Sequence, residues 1–420
     1  MKRILFVDDE SRILDGIRRM LYADRKRWEM EFAVGGEAAL KACEAGPFDV
    51  VVSDMRMPIM DGATLLTRVR DRYPSTARIV LSGYSELEAA TRTIPVAHRF
   101  LSKPCNATDL QAVLERVFTL QDLLSSSEIR RVVGAVGELP SLSTTYASLT
   151  TALGNPNTNI GTVADIVGRD IAMSAKVLQL VNSAFFGLAQ TVTSLHTAVS
   201  YLGMETIKNL VLVADTFSVF VPDSRVPQSV CESLQQDANR AAAIASKLPV
   251  DKKQRDVAIV AALLHDVGRL VLASKMPDKF LAALALSSER GCEAFEAEEQ
   301  LLGTSHAEIG AYLLGLWGIP HLAVEAIAHH HRPTRIPHSG FDTATAVYVA
   351  HLLAHELGVQ QAVPEAAAQP AEASPVAEVS PYDRDCLEKL GLCDQYPGFR
   401  VLAREVLAEE KGPDPQAVRN

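Results

Sequence analysis

The sequence predicts a doubly wound α/β domain followed by an all-α helical bundle. Short apolar runs alternate strictly with amphipathic segments over residues 1 to 120. From about 128 to 362 the texture is helical almost throughout, interrupted only by caps and breakers. A chain of 420 residues, 48% of them hydrophobic, is long enough for two or three compact units, each with its own core.

In chain order the α/β pairs read "ILFV" with "SRILDGIRRMLY", "EFAV" with "EAALKACEA", and "FDVVVSD" with "DGATLLTRVRDRY". They continue with "ARIVLS" and "SELEAATRTI", then "HRFLS" and "NATDLQAVLERVF". Five such pairs predict a parallel sheet covered by helices on both faces. The last helix runs on past 118, where Leu110, Val113, Leu114, Val117, Leu120, Leu123 and Leu124 keep one apolar stripe. That stripe suits either a signalling or dimerising helix or a helix packed on its own domain. Breakers at "GELPSLS", "GNPNTN", "VPDSRVP", "KLPVDKK" and "HHHRPTRIP" divide the helical region. The Ala, Pro and Glu-rich "QAVPEAAAQPAEASPVAEVSP" reads as a linker, and an amphipathic tail follows it.

Fifty-one acidic residues against 41 basic ones, a net charge of -10 and no Lys/Arg run disfavour direct nucleic-acid binding. Six scattered cysteines without paired spacing suit reduced, packing thiols. Neither the N-terminus nor any later stretch carries an apolar run of about 18 residues, so no membrane insertion and a cytoplasmic location are expected.

Asp8 and Asp9 close the first predicted strand, Asp54 the third and Ser82 the fourth, and Lys103 follows the fifth. Carboxylates converging at strand ends suit Mg²⁺, a hard cation that keeps water on its remaining positions. Asp54 is then placed to act as a nucleophile towards a phosphoryl donor. A single aspartate would read as a strand-end turn residue; five such residues at strand ends do not. The motifs "FVDDE", "VVSDMRMPIMDG", "VLSGYS" and "FLSKPC" resemble the receiver domain of two-component response regulators over the whole of residues 1–120. The resemblance implies a flavodoxin-like fold, Asp54 as phosphoacceptor, and Mg²⁺ on Asp8, Asp9 and Asp54. It also implies Ser82 and Phe100 as switch residues, Lys103 as phosphate partner and a sensor histidine kinase as phosphodonor.

Nine of the 11 histidines lie beyond residue 264, which is far from an even spread. A histidine in an apolar helix is more often a hydrogen-bonded core residue than a ligand, and the spacing leaves both readings open. "HD" at 265, "HAEIG" at 306 and "HHHRP" at 329 resemble the HD superfamily of metal-dependent phosphohydrolases. Those enzymes need a further histidine upstream, where this chain offers only Asp237, and a closing aspartate downstream, where it has His351. The blocks "TVADIVGRDIAMSAKVLQLVNSAFFG" and "SLHTAVSYLGMETIKNLVL", with Asp170, Lys176, Asn182, Ser183 and Gly203, are similar to the HDOD domain, as is "LWGIP". HDOD is an HD-related output module generally regarded as non-catalytic. From the residues alone, Asn182 and Ser183 read first as a cap and turn before Gly187, and Asp170 as an N-cap.

The boundaries expected are a receiver at 1–120, a linker helix at 121–138, an HDOD domain at 139–362 with its HD-like core at about 230–360, the Ala/Pro linker at 363–382 and the tail at 383–420. The function expected is a response regulator phosphorylated on Asp54 that signals through an HDOD domain binding an unknown signalling protein, with a homodimer left open. A single transition metal on His265, Asp266, His306 and either His329 or His330 remains open. The alternative is a regulated HD-type phosphohydrolase acting on a cyclic dinucleotide or nucleotide; the missing ligands weigh against it, and no enzyme is expected.

Overall fold

A computed structural model describes residues 1–82, 96–124, 126–137, 139, 143–155, 157–183, 191–212, 225–362 and 379–410. Strands β1 (Lys2–Asp8), β2 (Trp28–Val34), β3 (Val50–Asp54), β4 (Ala77–Ser82) and β5 (Arg99–Ser102) form one parallel sheet in the order β2-β1-β3-β4-β5. The central strands β1 and β3 read as near-continuous apolar runs because helices cover both of their faces. Helices α1 (Ser11–Met20), α2 (Gly36–Ala45) and α3 (Gly62–Arg72) connect the first four strands. The helix expected in "SELEAATRTI" lies outside the described residues. Strand order reverses on the two sides of β1, so the carboxyl ends of β1 and β3 border the crevice where open α/β sheets bind ligands.

Helix α4 (Ala107–Leu123) starts at Asn106, whose side chain accepts from the Asp109 N–H at 2.8 Å. The linker helix expected over 121–138 is instead two pieces: Leu124 is extended, and Ser126 caps a new helix, α5 (Ser127–Gly134). A capping hydroxyl competes with helix continuation, and an apolar periodicity does not register it. Most of the stripe on α4 is buried, and its C-terminal part meets the helical region. Leu120 lies so close to Gly315 that a Cβ there would sit 2.6 Å from a Leu120 methyl.

The helical region opens with α6 (Ser143–Gly154), α7 (Ile160–Val167), α8 (Ile171–Val181) and α9 (Leu195–Leu212). Asp170 caps α8, accepting from the Met173 N–H at 2.9 Å, and Gly203 breaks α9 with φ 74°. Asn182 bonds both Val192 N–H and Val192 C=O, so it pins the returning chain rather than lining a groove. Gly187, the turn residue expected after it, lies outside the described residues.

The second half comprises α10 (Gln228–Lys247), α11 (Lys252–Leu264), α12 (Val267–Lys275), α13 (Pro277–Arg290), α14 (Ala294–Leu302), α15 (His306–Leu316), α16 (His321–Ala328) and α17 (Thr343–Ala362). The stretch Lys252–Lys275 is long and apolar enough to cross a membrane, but 83% of its apolar 18-residue window is buried inside the bundle, where it contributes to the core. The tail docks: α18 (Pro381–Lys389) and α19 (Tyr396–Glu410) pack back, with Tyr396 fully buried and Arg400 paired to Glu356.

The two regions share a polar seam. Arg78, 1% exposed, donates to the carbonyls of Thr76 and Val96 on its own side and of Gly134 on α5 at 2.7 Å. Arg116 on α4 donates to the carbonyl of Ile319, and a Cβ at Gly318 would lie 3.7 Å from Nε of Arg99 on β5.

Candidate functional sites

The acidic site sits at the carboxyl ends of β1 and β3. Asp8 is 1% exposed and Asp54 8%, whereas Asp9 is exposed at the mouth. Lys103, just past β5, donates to Asp8 Oδ2 at 2.8 Å and pairs with Asp54. The remaining oxygens are held by the backbone: Glu10 N–H donates to Asp8 Oδ1 and Arg56 N–H to Asp54 Oδ2. Burial raises the pKa of Asp54, Lys103 opposes that, and Asp8 adds to it. Burial alone would lower Lys103, but its bonds to Asp54 and Asp8 outweigh burial and raise it. Ser82 ends β4 and pairs in register with Ser102; Phe100 on β5 is 4% exposed and faces inward. Gly62 makes the pocket possible, since a Cβ there would fall 2.2 Å from the Asp54 carbonyl oxygen. Three carboxylates make an all-oxygen donor set, which fits a hard divalent cation.

The second site is a knot of histidines where α11, α12, α15, α16 and α17 meet. His265 caps α11 and Asp266 starts α12, both almost fully buried. Glycines let the neighbouring helix in: a Cβ at Gly268 would fall 2.0 Å from the His306 carbonyl, and one at Gly310 2.8 Å from Val267. That approach brings His306 Nε2 to 3.1 Å from Asp266 Oδ1. Two groups of three ring nitrogens each lie within 4.8 Å of one another: His265, His330 and His351, and His306, His330 and His331.

The tautomers follow from the outer partners. His265 Nδ1 lies 2.6 Å from the Ala262 carbonyl and His330 Nδ1 2.8 Å from that of Ile327. A carbonyl only accepts, so each Nδ1 carries a proton and each Nε2 faces inward, where His330, held neutral by burial, presents a lone pair. His306 Nδ1 faces the buried Glu298 carboxylate at 2.7 Å in the same way. Burial would lower His306, but Glu298 and Asp266 overcome it and raise its pKa to about 9. Burial holds His330, His331 and His351 well below the ordinary histidine range. Asp266 is held low despite its burial, by His265, Arg269 and His306. His330 Nε2 and Asp266 Oδ1 are buried and make no hydrogen bond. Inward-facing Nε2 atoms on His265 and His330, whose Nδ1 atoms rest on carbonyls, are the arrangement of metal-binding histidines, and the two buried atoms without a hydrogen bond fit a bound cation.

Of the expected ligands, His265, Asp266, His306 and His330 come together, and His329 does not. His329 is the half-buried cap of α16, outside both groups, and His331 takes the inward place. Once the helix ends at Ala328, helical phase no longer decides which ring of "HHH" turns in. His331 stacks on Phe295 at 4.3 Å, a contact no spacing signals. His351 lies 3.0 Å from His265, where the sequence suggested a closing ligand. Asp237 is engaged with Arg240 and belongs to neither group.

Comparison with known proteins covers most of the chain in two blocks. Residues 4–115 match the family described as response regulator receiver domain, and 139–333 the HDOD domain. The regulatory protein AtoC of Escherichia coli K12 is 33% identical over 135 residues, 31% of this chain and 28% of that protein. The sensor kinase CckA of Brucella abortus is 35% identical over 123 residues, 28% of this chain and 13% of that protein. The chain spans between 13% and 40% of the length of the first curated relatives it matches. Among solved structures, the signal receiver domain of an HD domain-containing protein from Pseudomonas fluorescens is 32% identical, covers 29% of this chain and 97% of its own, and has a TM-score of 0.28. The MmoQ response regulator of Methylococcus capsulatus is 21% identical, covers 63% of this chain and 98% of its own, and has a TM-score of 0.44.

Proposed function

This chain belongs to the two-component response regulators that join a receiver domain to an HDOD domain, and from that premise we propose that it is switched by phosphorylation of Asp54 and signals by binding through its HDOD domain. The observation that carries the reading is Lys103 bridging Asp8 and Asp54 at adjoining strand ends. An Asp54 oxygen attacks the phosphorus of a kinase phosphohistidine; the P–N bond breaks, an acyl phosphate forms and the freed imidazole takes up a proton. Asp8, Asp9 and Asp54 would hold Mg²⁺, which when bound neutralises charge on the phosphoryl oxygens. Lys103 then exchanges its carboxylate partner for the new phosphate, and Ser82 donates to a phosphate oxygen.

Strand β5 links this event to the bundle. It runs from Arg99, beside Gly318, to Ser102, next to Lys103, with Phe100 buried between them. A shift of Lys103 or Phe100 therefore reaches the seam within one short strand. Incubating the full chain with acetyl phosphate and Mg²⁺ should add one phosphoryl group by intact mass, with none added to Asp54→Asn. Equal labelling of the variant would sink the assignment.

The orphaned Nε2 of His330 favours a second element of this reading: one transition metal held in the HDOD domain by His265, Asp266, His306 and His330. It would neutralise Asp266 and tie α11, α12, α15 and α16 together.

A further inference from the structure

We infer that Arg99 and Arg116, at the seam between receiver and bundle, bind a phosphate group together with the uncapped start of α16. This site is separate from the acidic pocket and from the histidine knot, and the inference rests on neither of them.

Two guanidinium groups converge on the turn between α15 and α16. Arg116 donates to the Ile319 carbonyl at 2.5 Å, and Gly318 lies against Arg99, with a Cβ there 3.7 Å from Nε and 3.9 Å from Cζ. A guanidinium has five N–H donors and no acceptor, so each of these groups needs oxygens around it. Arg78, buried in the same seam, finds them in the carbonyls of Pro74, Thr76, Val96 and Gly134. Arg99 does not: its Nη1 is buried without a hydrogen bond. Burial, and then the like charge of Arg116, push the Arg99 pKa down to about 10, while burial lowers that of Arg116. Among the described residues no carboxylate offsets either charge. Leaving a buried charge unpaired is costly, and an anion between the two arginines removes that cost.

Helix α16 adds a third set of donors. Pro320 precedes it and supplies no side-chain cap, so the first N–H groups, those of the exposed His321 and Leu322, are left without an intrahelical partner. They follow directly on the Ile319 carbonyl that Arg116 holds, and the positive end of the helix dipole favours an anion there.

The number of donors selects the ligand. One arginine fork already occupies both oxygens of a carboxylate, whereas a tetrahedral phosphate has oxygens for two forks and a helix N–H. Arg99 and Arg116 are both half-buried, so the seam is open to a small anion from solvent. A bound phosphate would tie β5 and α4 of the receiver to the α15–α16 turn and so stabilise the docked arrangement of the two regions.

The test is calorimetric titration of full-length, Mg²⁺-free protein with inorganic phosphate and with acetate at matched ionic strength, and thermal unfolding in the same buffers. Expected are one phosphate per chain, a thermal midpoint that rises with phosphate, and acetate binding at least about tenfold weaker. Arg99→Met and Arg116→Met should each weaken phosphate by at least about tenfold, and Arg99→Lys, which keeps the charge without the fork, by less. Arg25→Met, just ahead of β2 at the opposite edge of the sheet, should change nothing. In phosphate-free buffer Arg99→Met should unfold no earlier than wild type, because it removes an unpaired buried charge, and circular dichroism reports folding in every variant. Glycerol phosphate binding more tightly than inorganic phosphate would assign the site to a phosphomonoester, and weaker binding would assign it to the free ion. The inference fails if folded wild type binds no phosphate at millimolar concentrations, if acetate binds equally well, or if Arg99→Met and Arg116→Met bind phosphate as wild type does.

Discussion

The acidic pocket of the receiver and the histidine knot of the HDOD domain both bury a carboxylate deep in the fold, yet they settle its charge differently. Asp8 and Asp54 have Lys103 between them and backbone N–H groups on their remaining oxygens, so that site is complete with the chain's own atoms. Asp266 keeps one oxygen without a hydrogen bond, beside an equally orphaned His330. A pocket that carries its own cation can rest and wait for a reaction to change it. A pocket of lone pairs is unfinished until a proton or metal arrives, because burying unpaired polar atoms costs about 1–3 kcal/mol each.

The contrast requires that the two sites fail independently. Gly268→Ala should have the largest effect, since its Cβ would meet the His306 backbone at 2.0 Å and force α12 from α15. A loss of about 1–3 kcal/mol in urea unfolding is expected, with weakened metal uptake and intact phosphorylation. Gly62→Ala, at 2.2 Å from the Asp54 carbonyl, should give the mirror result: a similar cost and impaired phosphorylation with metal uptake retained. Loss of both readouts in either variant would show one coupled site.

A smaller effect sharpens the comparison through pH. His306 has a folded pKa of about 9 against an ordinary 6.5, so its contribution is complete below pH 6.5 and disappears as the pH climbs towards 9. His330, His331 and His351 are held well below 6.5, so below that pH the unfolded chain takes up protons that the folded chain refuses. Metal-free protein should therefore be most stable near pH 6.5, with slopes of up to about 1.4 kcal/mol per pH unit for each histidine. Denaturant midpoints across pH 5 to 9 check this, and a flat profile would contradict the protonation states assigned to the knot. The smallest effect belongs to the seam. Arg116→Ala removes a hydrogen bond to the Ile319 carbonyl and should cost about 1 kcal/mol while leaving both sites intact.

The receiver was legible almost residue by residue. Strand ends are visible in apolar runs, and a parallel sheet brings the ends of β1, β3 and β5 to one edge, so Asp8, Asp54 and Lys103 had to meet. The knot was legible only in part. The His265 and Asp266 pair, His306 and His330 were named from their motifs, but His331 stood unrecognised beside His329, and Asp237 lies paired elsewhere. Gly310 stood in the quoted "HAEIG" and Gly268 two residues past the "HD" pair, but nothing in one dimension shows that they face each other.

By itself, then, the sequence determined the alternation that makes the sheet, the acids at its edge, the helical character of the second region and the enrichment of histidine there. Tertiary structure decided which of the rings of His329, His330 and His331 turn inward after the helix ends, which stripe of α4 meets α15, and that the tail returns to wall a cavity beside His331 and His351. The physical reason is range. Period and capping act within a few residues, whereas the convergence of five helices depends on close approaches such as Gly268 on His306, set by residues far apart in the chain.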